Sequence, residues 1–564
     1  MIVGIDLGTT HSLVGVHTAE GGRLFPNPHG ALLTPSVVSL DGDTVLVGQP
    51  ARDRLISHPD HTAAVFKRMI GTDHAFTLGT RTFRAEELSA LVLRSLLADA
   101  EAALGEPVRE AVISVPAYFS DAQRKATRLA GELAGIRVER LVNEPTAAAL
   151  AYGLGAQDGD DRDGRVMVLD LGGGTFDVSL IECFEGIFQV HASAGDSFLG
   201  GEDFLALLLQ DWAKAEQVDL HALPAAVLAP LRQRMEAFKR QLAQPGPHTL
   251  EVPLEGQTRR WTLDSERFEQ LATPLLQRMR QPIERALRDA RLQPAELDEV
   301  ILVGGASRMP MVGRLATRML GRLPLRHVHP DQAIALGAAV AAALKARDAA
   351  LEEVVLTDVS PYTLGIEVSR NDEQGRYHGG FYLPVIPRNC TVPVSREQVI
   401  SPLSSDQRVL RVDVYQGEHP LVAQNIALGT LEIPLDPARA GDGSFKVRFT
   451  YDVDGLLQVE ITDSSDGRRH ELVLQQASQG LDAEQIRQRM AALQALKVHP
   501  RDQQPNQALL ARLQRLYAEH LHLREDLQQW IASFRGVLES QDTARINAAR
   551  ASLQAHLDSL RVDA

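Results

Sequence analysis

One stretch of this chain combines aspartates with a glycine turn. The segment "VLDLGGGTFDVSLI", residues 168–181, places Asp170 and Asp177 on either side of three consecutive glycines, between apolar and β-branched flanks. Glycine permits turns whose backbone N–H groups are free to bind an anion, and two carboxylates beside an anion require a cation between them. Strand-forming flanks around such a turn predict a β-hairpin. The segment therefore predicts a hairpin that binds phosphate together with Mg²⁺.

The same pattern occurs near the start of the chain. In "GIDLGTTHSLVGV", residues 4–16, Asp6 precedes a glycine and two threonines, as Asp170 precedes its glycines. One copy alone would be equally compatible with an ordinary glycine turn whose aspartates are solvated. Two copies at half-molecule spacing indicate an internal duplication and a phosphate clamp made of two hairpins.

Two further segments could contact a nucleoside. "LVGGASRMP", residues 302–310, ends a strand in a third glycine turn, which would let a nucleoside approach the backbone. "MEAFKRQL" puts Glu236, Lys239 and Arg240 on one helical face, where they could hydrogen-bond to or stack on a planar base. The sequence contains neither the P-loop signature nor the dinucleotide fingerprint, which excludes those two kinds of nucleotide site.

The order of apolar patterns predicts several regions that position these motifs. Up to about residue 352, strands alternate with helices as in an α/β fold, and strands at 110–117 and 298–307 close the two halves in the same way. The segment 351–368 contains an apolar "VVL" without a periodic partner and is predicted to include an interdomain linker. Period-two alternation up to about residue 478 predicts an antiparallel β domain, and a later apolar stripe at helical spacing predicts a small helical tail.

Composition disfavours several classes of function. The 564 residues, 44% hydrophobic and 23% charged, are typical of a globular protein of two to four domains. A net charge of −15 disfavours nucleic acid as a partner. The two cysteines, Cys183 and Cys390, are too far apart in sequence to suggest a disulfide framework, which favours a reducing, cytoplasmic setting. We expect no export signal, because the first residues enter a strand without a basic region or an apolar region typical of such signals. We expect no membrane partner, because the longest apolar run, 333–344, is shorter than a membrane span and predicts a buried helix.

Eight motifs follow one another in an order typical of one family. They are "GIDLGTTHS", "VFKRMIG", "VPAYFSDAQR", "LVNEPTAAALAYG", "LDLGGGTFDVS", "AGDSFLGGEDF", "VGGASRMP" and "HPDQAIALGAAV". Over nearly the whole chain this series resembles the seventy-kilodalton heat-shock chaperone family, the DnaK-like proteins, and the reduced size is most like the HscC branch. The resemblance implies a multidomain protein: an α/β actin-like (ribonuclease H-like, duplicated) ATPase domain at 1–352, a linker at 353–361, a β-sandwich peptide-binding domain at 362–480 and a short α-helical lid at 481–564.

For the ATPase domain, the resemblance implies a site for ATP or ADP with Mg²⁺, and K⁺ as a further cation. Asp6 and Asp170 would hold the waters of Mg²⁺, while Lys67 would position the attacking water at the γ-phosphate. Glu144, at a helix start before a proline, would order a water, and Thr175 is the remaining catalytic candidate. The alternatives are an exposed lysine at 67 and simple helix capping by Glu144. The implied nucleotide contacts are Gly8, Thr9, Thr10, His11, Gly172, Gly173, Gly174, Gly200, Gly201, Glu202, Glu236, Lys239, Arg240, Gly304, Gly305, Arg308 and Asp331.

Communication with the second domain is also implied by the resemblance. Pro116 and Arg124 resemble the relay that senses ATP. Arg140, Asn143 and Asp358 resemble contacts for J-domain cochaperones, the alternative being ordinary surface polarity.

In the β domain, the alignment implies a pocket for one client side chain. Ile366, Ile400, Leu410 and Val412 would line this pocket, and Leu403 would lie on an arch above it. Leu410 stands where the family commonly has valine, which predicts a smaller pocket and a narrower choice of clients. The alternative is that Leu410 packs in the sandwich core.

The sequence also departs from the family pattern. His11 stands where the family often has Tyr or Asn, which leaves the role of this residue open. The segments 69–88 and 204–282 are shorter than usual, and they correspond to surfaces gripped by the exchange factor GrpE, so GrpE is not expected as a partner. An extra segment, 369–378, is expected inside the first loop of the β domain.

Taken together, these patterns predict an ATPase that converts ATP and water to ADP and phosphate and uses the reaction as a conformational switch. We expect a mostly monomeric chaperone that binds unfolded or extended polypeptides and is stimulated by a J-domain cochaperone. The alternatives are a filament-forming or structural actin relative without peptide binding and a sugar-kinase-like phosphotransferase. Neither alternative needs a β domain behind an apolar linker, and we locate no catalytic aspartate for a sugar pocket.

Overall fold

The structure is a computed structural model. It describes residues 1–18, 21–154, 164–184, 187–254, 256–325, 328–346, 355–404, 407–435, 443–452, 455–474, 500–520 and 523–559. The chain forms two compact units. The first comprises the described residues of Met1–Tyr362 and Arg388–Val392, and the second those of Thr363–Pro387, Pro393–Gln475 and Leu481–Ala564. Within the described ranges, none of the helices combines the length and apolar character needed to cross a membrane.

The first unit contains two mixed sheets of six strands each. In the first sheet the strand order is Arg137–Asn143, Glu110–Val115, Ile2–Asp6, His11–Thr18 and Gly21–Leu24, with Thr34–Pro35 paired to His11–Thr18. In the second sheet the order is Glu299–Val303, Gly164–Leu171, Phe176–Phe184, Ile187–Asp196, Val355–Val359 and Thr391–Val392.

The two sheets repeat one arrangement around their glycine turns. Ile2–Asp6 pairs antiparallel with the strand after its turn and parallel with Glu110–Val115. Gly164–Leu171 does the same with Phe176–Phe184 and Glu299–Val303. We call these the first and second glycine hairpins. Both predicted hairpins and the predicted internal duplication are confirmed.

A helix made of small residues packs closely against the first sheet. Ala333–Lys345 is almost wholly buried, as its composition predicts. A Cβ added at Gly4 would lie 2.1 Å from the backbone nitrogen of Ala339, and one at Gly337 would lie 1.7 Å from the carbonyl oxygen of Ala147. Glycine at these two positions therefore lets the helix approach both the first glycine hairpin and the helix Glu144–Leu154 at backbone distance.

Capping residues determine where the helix Asp121–Ala134 begins and ends. Ser120 begins the helix Asp121–Ala134: its side chain accepts a hydrogen bond from Gln123 N, and its own backbone N donates to Gln123 Oε1 at 2.9 Å. The helix ends at Gly135, whose φ of 91° is left-handed. The remaining α-helices of this unit are Gln49–Ser57, Ala85–Leu104, Gly201–Ala215, Ala225–Gln241, Ser265–Leu271, Thr273–Ala290 and Pro310–Leu320. Short 3₁₀ turns are Pro59–His61, Phe66–Met69, Pro294–Glu296 and Gly305–Arg308.

Three smaller sheets complete the first unit. One contains Val37–Asp41, Thr44–Val47 and Thr62–Ala64; the others are the hairpins Ala75–Leu78 with Arg81–Arg84 and His248–Leu254 with Gln257–Leu263.

The structure differs from the prediction at the linker. Its "VVL" has no periodic partner in the sequence, yet Val355–Val359 is a strand that pairs parallel with Ile187–Asp196 and antiparallel with Thr391–Val392. Both partners come from distant parts of the chain, so local periodicity could not reveal the pairing. This part of the linker belongs to the same sheet as the second glycine hairpin.

The second unit contains two antiparallel sheets of four strands, as the period-two pattern predicts. One has the order Tyr377–Ile386, Leu364–Asn371, Val409–Gln416 and Ile426–Pro434. The other has the order Val394–Ile400, Phe445–Tyr451, Leu457–Asp463 and Arg469–Leu474. A 3₁₀ turn lies at Val422–Gln424. The extra segment 369–378 does not form only a loop, because it extends the first two strands, which pair as far as Asn371 and Tyr377.

A helical tail follows in the same unit, after the 3₁₀ turn Pro500–Asp502. Its helices are Gln504–Glu519, Arg524–Glu539 and Thr543–Ser559. The predicted stripe is confirmed as their shared core, in which Leu513, Leu527, Phe534 and Leu538 are buried. The part of the predicted lid at 481–499 lies outside the described residues.

Candidate active site

The two glycine hairpins border a large cavity in the first unit. Its volume is about 970 Å³. It is lined by twenty of the residues proposed from the sequence: Asp6, Gly8, Thr9, Thr10, His11, Lys67, Glu144, Asp170, Gly172, Gly173, Thr175, Gly201, Glu202, Glu236, Lys239, Arg240, Gly304, Gly305, Arg308 and Asp331. Such a volume is typical of a ligand site that encloses a whole small molecule.

Gly174 and Gly200 lie behind the cavity wall. A Cβ at Gly200 would be 2.5 Å from Gly174 N, so these two glycines allow the second hairpin to contact the start of the helix Gly201–Ala215. Gly201 N and Glu202 N donate to the carbonyl oxygens of Gly172 and Gly173, each at 2.9 Å. The helix start is therefore fixed directly to the glycine turn.

The third glycine turn meets the second hairpin at its aspartate. Gly304 has a φ of 80°, and a Cβ there would lie 2.5 Å from Asp170 Oδ1 and 2.4 Å from the carbonyl oxygen of Leu171. Only glycine satisfies both the left-handed backbone and this close approach.

Several buried carboxylates lie close together at the two glycine hairpins. Burial raises the pKa of Asp6 to about 7, and the neighbouring Glu144 adds to the shift. Burial also raises the pKa of Asp170 well above its usual value, with Glu144 and Asp177 contributing next. Asp177, whose Oδ1 accepts a hydrogen bond from Tyr118 N at 2.9 Å, has its pKa raised to about 7 by burial and by Glu144. Such a group of acids favours the binding of a cation.

Lys67 lies inside this acidic group. Its Nζ donates to Glu144 Oε1 at 2.8 Å, and the two side chains are only 4% and 7% exposed. Val65, two residues before Lys67, adopts a left-handed φ of 59°, which is unfavourable for a β-branched residue. Lys67 is therefore not the exposed lysine of the alternative interpretation, and Glu144 does more than cap its helix.

The carboxylates fit Mg²⁺ held mainly by phosphate and water. Asp170 Oδ2 is buried without a hydrogen-bond partner, so the site contains an unsatisfied acceptor. Among the described residues, no cluster of three or more His, Cys, Asp or Glu side chains is arranged to hold a metal ion. Mg²⁺ keeps several waters and takes only one or two carboxylates when it also binds substrate phosphates, and Asp6 and Asp170 meet that requirement.

Charged side chains on the helix Ala225–Gln241 form another wall of the cavity. Lys239 Nζ lies 2.6 Å from Glu236 Oε2 and 2.9 Å from the carbonyl oxygen of Gly201. Arg240 Nε lies 3.1 Å from Glu236 Oε1. Elsewhere on the wall, Arg308 Nη2 donates to Asp331 Oδ2 at 2.6 Å. The predicted helical face is confirmed, and its cations are held in place by carboxylates.

His11 is an uncharged member of the wall. Its Nδ1 lies 3.3 Å from Thr10 Oγ1. Burial, together with Arg52 and Arg240, lowers the pKa of His11 to about 4. The imidazole is therefore neutral near pH 7.

Comparison with known proteins places these features in a family. A family model described as Hsp70 protein matches residues 2–79 and 75–563. The chain is 40% identical over 489 residues to the chaperone protein DnaK of Thermotoga petrophila, covering 84% of this chain and 80% of the relative. It is 41% identical over 526 residues to the chaperone protein dnaK3 of Thermosynechococcus vestitus, covering 86% and 74%. The chaperone protein DnaK of Thermosipho africanus is 40% identical over 488 residues, covering 84% and 79%.

The chain belongs to the Hsp70 family. The sequence-based prediction of an ATP-dependent chaperone with ATPase activity is thereby confirmed. Proteins of this family bind ATP or ADP, client polypeptides and cochaperones, and they combine an actin-like ATPase domain with a β-sandwich domain and a helical lid. The HscC branch stays a prediction, because the relatives named above are DnaK proteins.

In this Hsp70 protein, Arg124 of the predicted relay forms a hydrogen-bonded chain within the first unit with Asn143 and Asp358, which were predicted as J-domain contacts. Arg124 Nη2 donates to Asn143 Oδ1, and Asn143 Nδ2 donates to Asp358 Oδ2, both at 2.6 Å. Arg124 also donates to the carbonyl oxygen of Ala117, which follows Pro116, at 3.0 Å. Burial raises the pKa of Asp358, while Arg124 and Arg140 oppose the shift. Asp358 is therefore not an ordinary polar surface residue.

The predicted peptide-pocket residues are divided between the core and the surface. Ile366, Leu410 and Val412 are at most 5% exposed, whereas Leu403 is 44% exposed and Ile400 is half-buried. Leu410 and Val412 share one face of Val409–Gln416, whose residues alternate between buried and more exposed. Leu410 is therefore buried on the same strand face as Val412, which fits both a pocket wall and a core residue.

Sequence reasoning missed one side chain that organises the cavity. Arg68 donates from Nε and Nη2 to the carbonyl oxygen of Gly174 at 3.2 and 3.1 Å, and it forms an ion pair with Asp203 in the helix Gly201–Ala215. Arg68 directly follows Lys67 in the motif "VFKRMIG", which was the available signal. Its partners lie more than a hundred residues away, so the contact could not be read from the sequence.

Proposed function

We propose that this protein hydrolyses ATP slowly and uses the reaction to change its affinity for extended, apolar segments of other polypeptides, with a J-domain cochaperone as stimulator. The observation that carries this proposal is the position of the linker strand Val355–Val359. It pairs with Ile187–Asp196, which itself pairs with the second glycine hairpin. A change at the phosphate turn can therefore reach the linker through one continuous sheet.

The hydrolysis proposal assigns a role to each part of the cavity. Gly8, Thr9, Thr10, Gly173 and Thr175 contact the phosphates through backbone and hydroxyl groups. Phosphoryl transfer asks a protein mainly for positioning and charge stabilisation.

Two buried side chains position the water that attacks the terminal phosphate. Lys67 is proposed to orient this water and to offset phosphate charge, and Glu144 to order the water and accept its proton. Their mutual ion pair of 2.8 Å, almost wholly buried, restricts both groups to one arrangement before nucleotide binds. Such restriction lowers the entropic cost of reaching the reactive geometry.

The metal requirement follows from the carboxylates. Mg²⁺, when bound, would neutralise charge on the phosphate oxygens. Asp6 and Asp170 are proposed to hold it through water, since burial and the nearby Glu144 raise the pKa values of both carboxyl groups and a bound cation would stabilise their charged forms. Ser114 orients Asp6 by donating to Oδ1 at 2.9 Å. K⁺ is proposed as a further cation of the phosphate site.

The other side of the cavity is proposed to bind the nucleoside. Glu236, Lys239 and Arg240 offer donors and acceptors along one helical face, and Arg308 offers a planar guanidinium for stacking. Gly201, Glu202, Gly305 and Asp331 line the space between these groups. Glu202 accepts from Arg232 at 2.7 Å, so its carboxylate is already oriented.

The chain Arg124–Asn143–Asp358 is proposed to report the nucleotide state to the linker. Arg124 donates to the carbonyl oxygen of Ala117, the residue after Pro116. Asn143 immediately precedes Glu144 of the hydrolytic site. A shift at Glu144 would therefore be felt one residue away by the hydrogen bond to Asp358. Arg140, Asn143 and Asp358 are proposed to contact the J-domain as well.

For the domain organisation we propose an ATPase domain at 1–352, a linker at 353–361, a peptide-binding β-sandwich at 362–480 and a lid at 481–564. The period-two strands and the separate helical core support the last two parts. A filament-forming actin relative or a sugar kinase would not need them. In the sandwich, Ile366, Ile400, Leu403, Leu410 and Val412 are the proposed peptide contacts.

The decisive experiment measures ATP turnover of the full chain with an extended apolar peptide, with a J-domain protein, and with both. We expect each to increase turnover and the combination to increase it further. The matched control variant is Arg140→Gln, which removes the charge of a proposed J-domain contact that lies outside the hydrogen-bonded chain Arg124–Asn143–Asp358. We expect this variant to lose the J-domain effect while responding to peptide. Turnover unaffected by peptide and J-domain protein, or phosphate transfer to a sugar, would contradict the proposal.

A further inference from the structure

The second unit has a sheet edge that is occupied by the helical tail. Val394–Ile400 pairs with Phe445–Tyr451 on one side, and no described strand pairs with it on the other. We call Val394–Ile400 the edge strand. An open edge presents unpaired N–H and C=O groups on which another strand can be added.

One side chain of the tail satisfies this edge as a peptide group would. Gln541 lies between the last two helices. Glu397 N donates to Gln541 Oε1 at 3.0 Å, and Gln541 Nε2 donates to the carbonyl oxygen of Glu397 at 2.8 Å. The side-chain amide thus replaces both hydrogen bonds that a neighbouring strand would make to one residue.

The backbone of Gln541 is adapted to this contact. Its φ is 52°, a left-handed conformation that is uncommon for a residue other than glycine. Ser540 beside it accepts a hydrogen bond from Arg396 Nη1 through its carbonyl oxygen at 3.0 Å. Two consecutive residues of the tail therefore bind two consecutive residues of the edge strand.

An ion pair with a buried carboxylate and a partly exposed arginine attaches the tail at the same point. The carboxylate of Glu397 is only 5% exposed; it contacts Arg448 of the adjacent strand and lies 3.0 Å from Arg501 Nη2, just before the tail helices. Charge-assisted hydrogen bonds in such a setting are stronger than neutral ones. The tail is thus attached to the edge by Arg501, before its first helix, and by Gln541, between its last two helices.

We propose that the Ser540–Gln541 turn closes the edge strand against a second copy of this chain. Once the turn leaves, the edge strands of two molecules can pair antiparallel about a twofold axis centred on Glu397. Each Glu397 keeps Arg448 as its ion-pair partner, so this pairing brings no unpaired carboxylates together. Alternation directs the amides of Ser395, Glu397 and Val399 away from Phe445–Tyr451 and towards the second molecule. Val399, 54% exposed, would add apolar contact there.

The test measures the dimer dissociation constants of the full-length wild type and of a double variant by sedimentation equilibrium in excess ADP. The variant Gln541→Gly/Arg501→Gln removes the amide and one ion pair while keeping the left-handed backbone favourable. Loss of two hydrogen bonds should increase the population of molecules with an open edge strand by roughly tenfold or more. We therefore expect a dimer at least about tenfold tighter than that of the wild type.

A control variant identifies the surface that dimerises. Val399→Pro, added to the double variant, removes an outward-facing N–H without removing an amide from the existing ladder. We expect it to return the dissociation constant to the wild-type value. A dimer that persists with proline at 399 would overturn the proposal, because it would use another surface.

Hydrogen exchange of the Glu397 amide gives an independent readout. We expect this amide to exchange at least about tenfold faster in monomeric Gln541→Gly/Arg501→Gln than in the wild type. Unchanged exchange would overturn the role of Gln541. Faster exchange without tighter dimerisation would overturn the proposed protection against a second copy.

Discussion

Replacement of Lys67 by methionine is expected to separate ATP hydrolysis from ATP binding. Methionine keeps the length and apolar stem of the side chain but removes the ammonium that lies 2.8 Å from Glu144 Oε1. Because Lys67 and Glu144 are almost wholly buried, solvent cannot replace the lost charge. Loss of one positioned group of this kind commonly reduces turnover by about 10²-fold or more. Nucleotide affinity should change far less, since the cavity offers many other contacts.

The folding stability of the same variant provides a second, independent expectation. Removing one partner of a buried ion pair costs about 3–5 kcal/mol when the other keeps its charge. Lys67→Met/Glu144→Gln, which removes both charges, should therefore recover much of the stability lost in Lys67→Met. It should recover none of the turnover, because both groups proposed to act on the attacking water are then missing.

Single-turnover hydrolysis of radiolabelled ATP and equilibrium binding of a fluorescent nucleotide measure the two quantities separately. Lys239→Met is the matched control: Lys239 borders the same cavity but contacts Glu236 and Gly201, so its loss should weaken affinity more than turnover. Equal losses of affinity and turnover in Lys67→Met would refute the reasoning, because Lys67 would then act only in binding. Recovery of turnover in the double variant would refute it as well.

Three further predictions concern other parts of the chain. A GrpE-type factor should accelerate ADP release little or not at all, because the segments 69–88 and 204–282 are short and the first contains only the hairpin Ala75–Leu78 with Arg81–Arg84 before the helix Ala85–Leu104 begins; strong acceleration at low concentration would contradict this. Leu410→Val should broaden the set of sequences bound on a peptide array, whereas an unchanged profile with stability lowered by about 1 kcal/mol would place Leu410 in the core alone. Burial raises the pKa of Asp99 to about 6, so its contribution to stability should be lost as pH rises from about 4 to 6. Denaturation at several pH values should show Asp99→Asn reducing this loss, by at most about 1 kcal/mol because the side chain is partly exposed; parallel curves would show that Asp99 does not titrate in this way.

Much of the candidate site was predictable because most of its residues lie in short sequence motifs. Asp6 and Asp170 are each followed within a few residues by the glycines and threonines of their own turn, and hairpin formation is a local event. The small residues of 333–344 likewise predict their own burial, since only a helix without bulky side chains can approach other backbones so closely.

The tertiary structure decided which distant groups meet. Lys67 pairs with Glu144 across 77 positions of sequence, and Asn143 reaches Asp358 across 215. The linker strand, the contact of Arg68 with the second hairpin and the hold of Gln541 on the edge strand are of the same kind. The sequence by itself determined the local turns, the helix and strand periods and the family motifs, because these depend on neighbouring residues. The partners of each buried charge and of each open strand depend on how the whole chain packs, so only the folded structure could assign them.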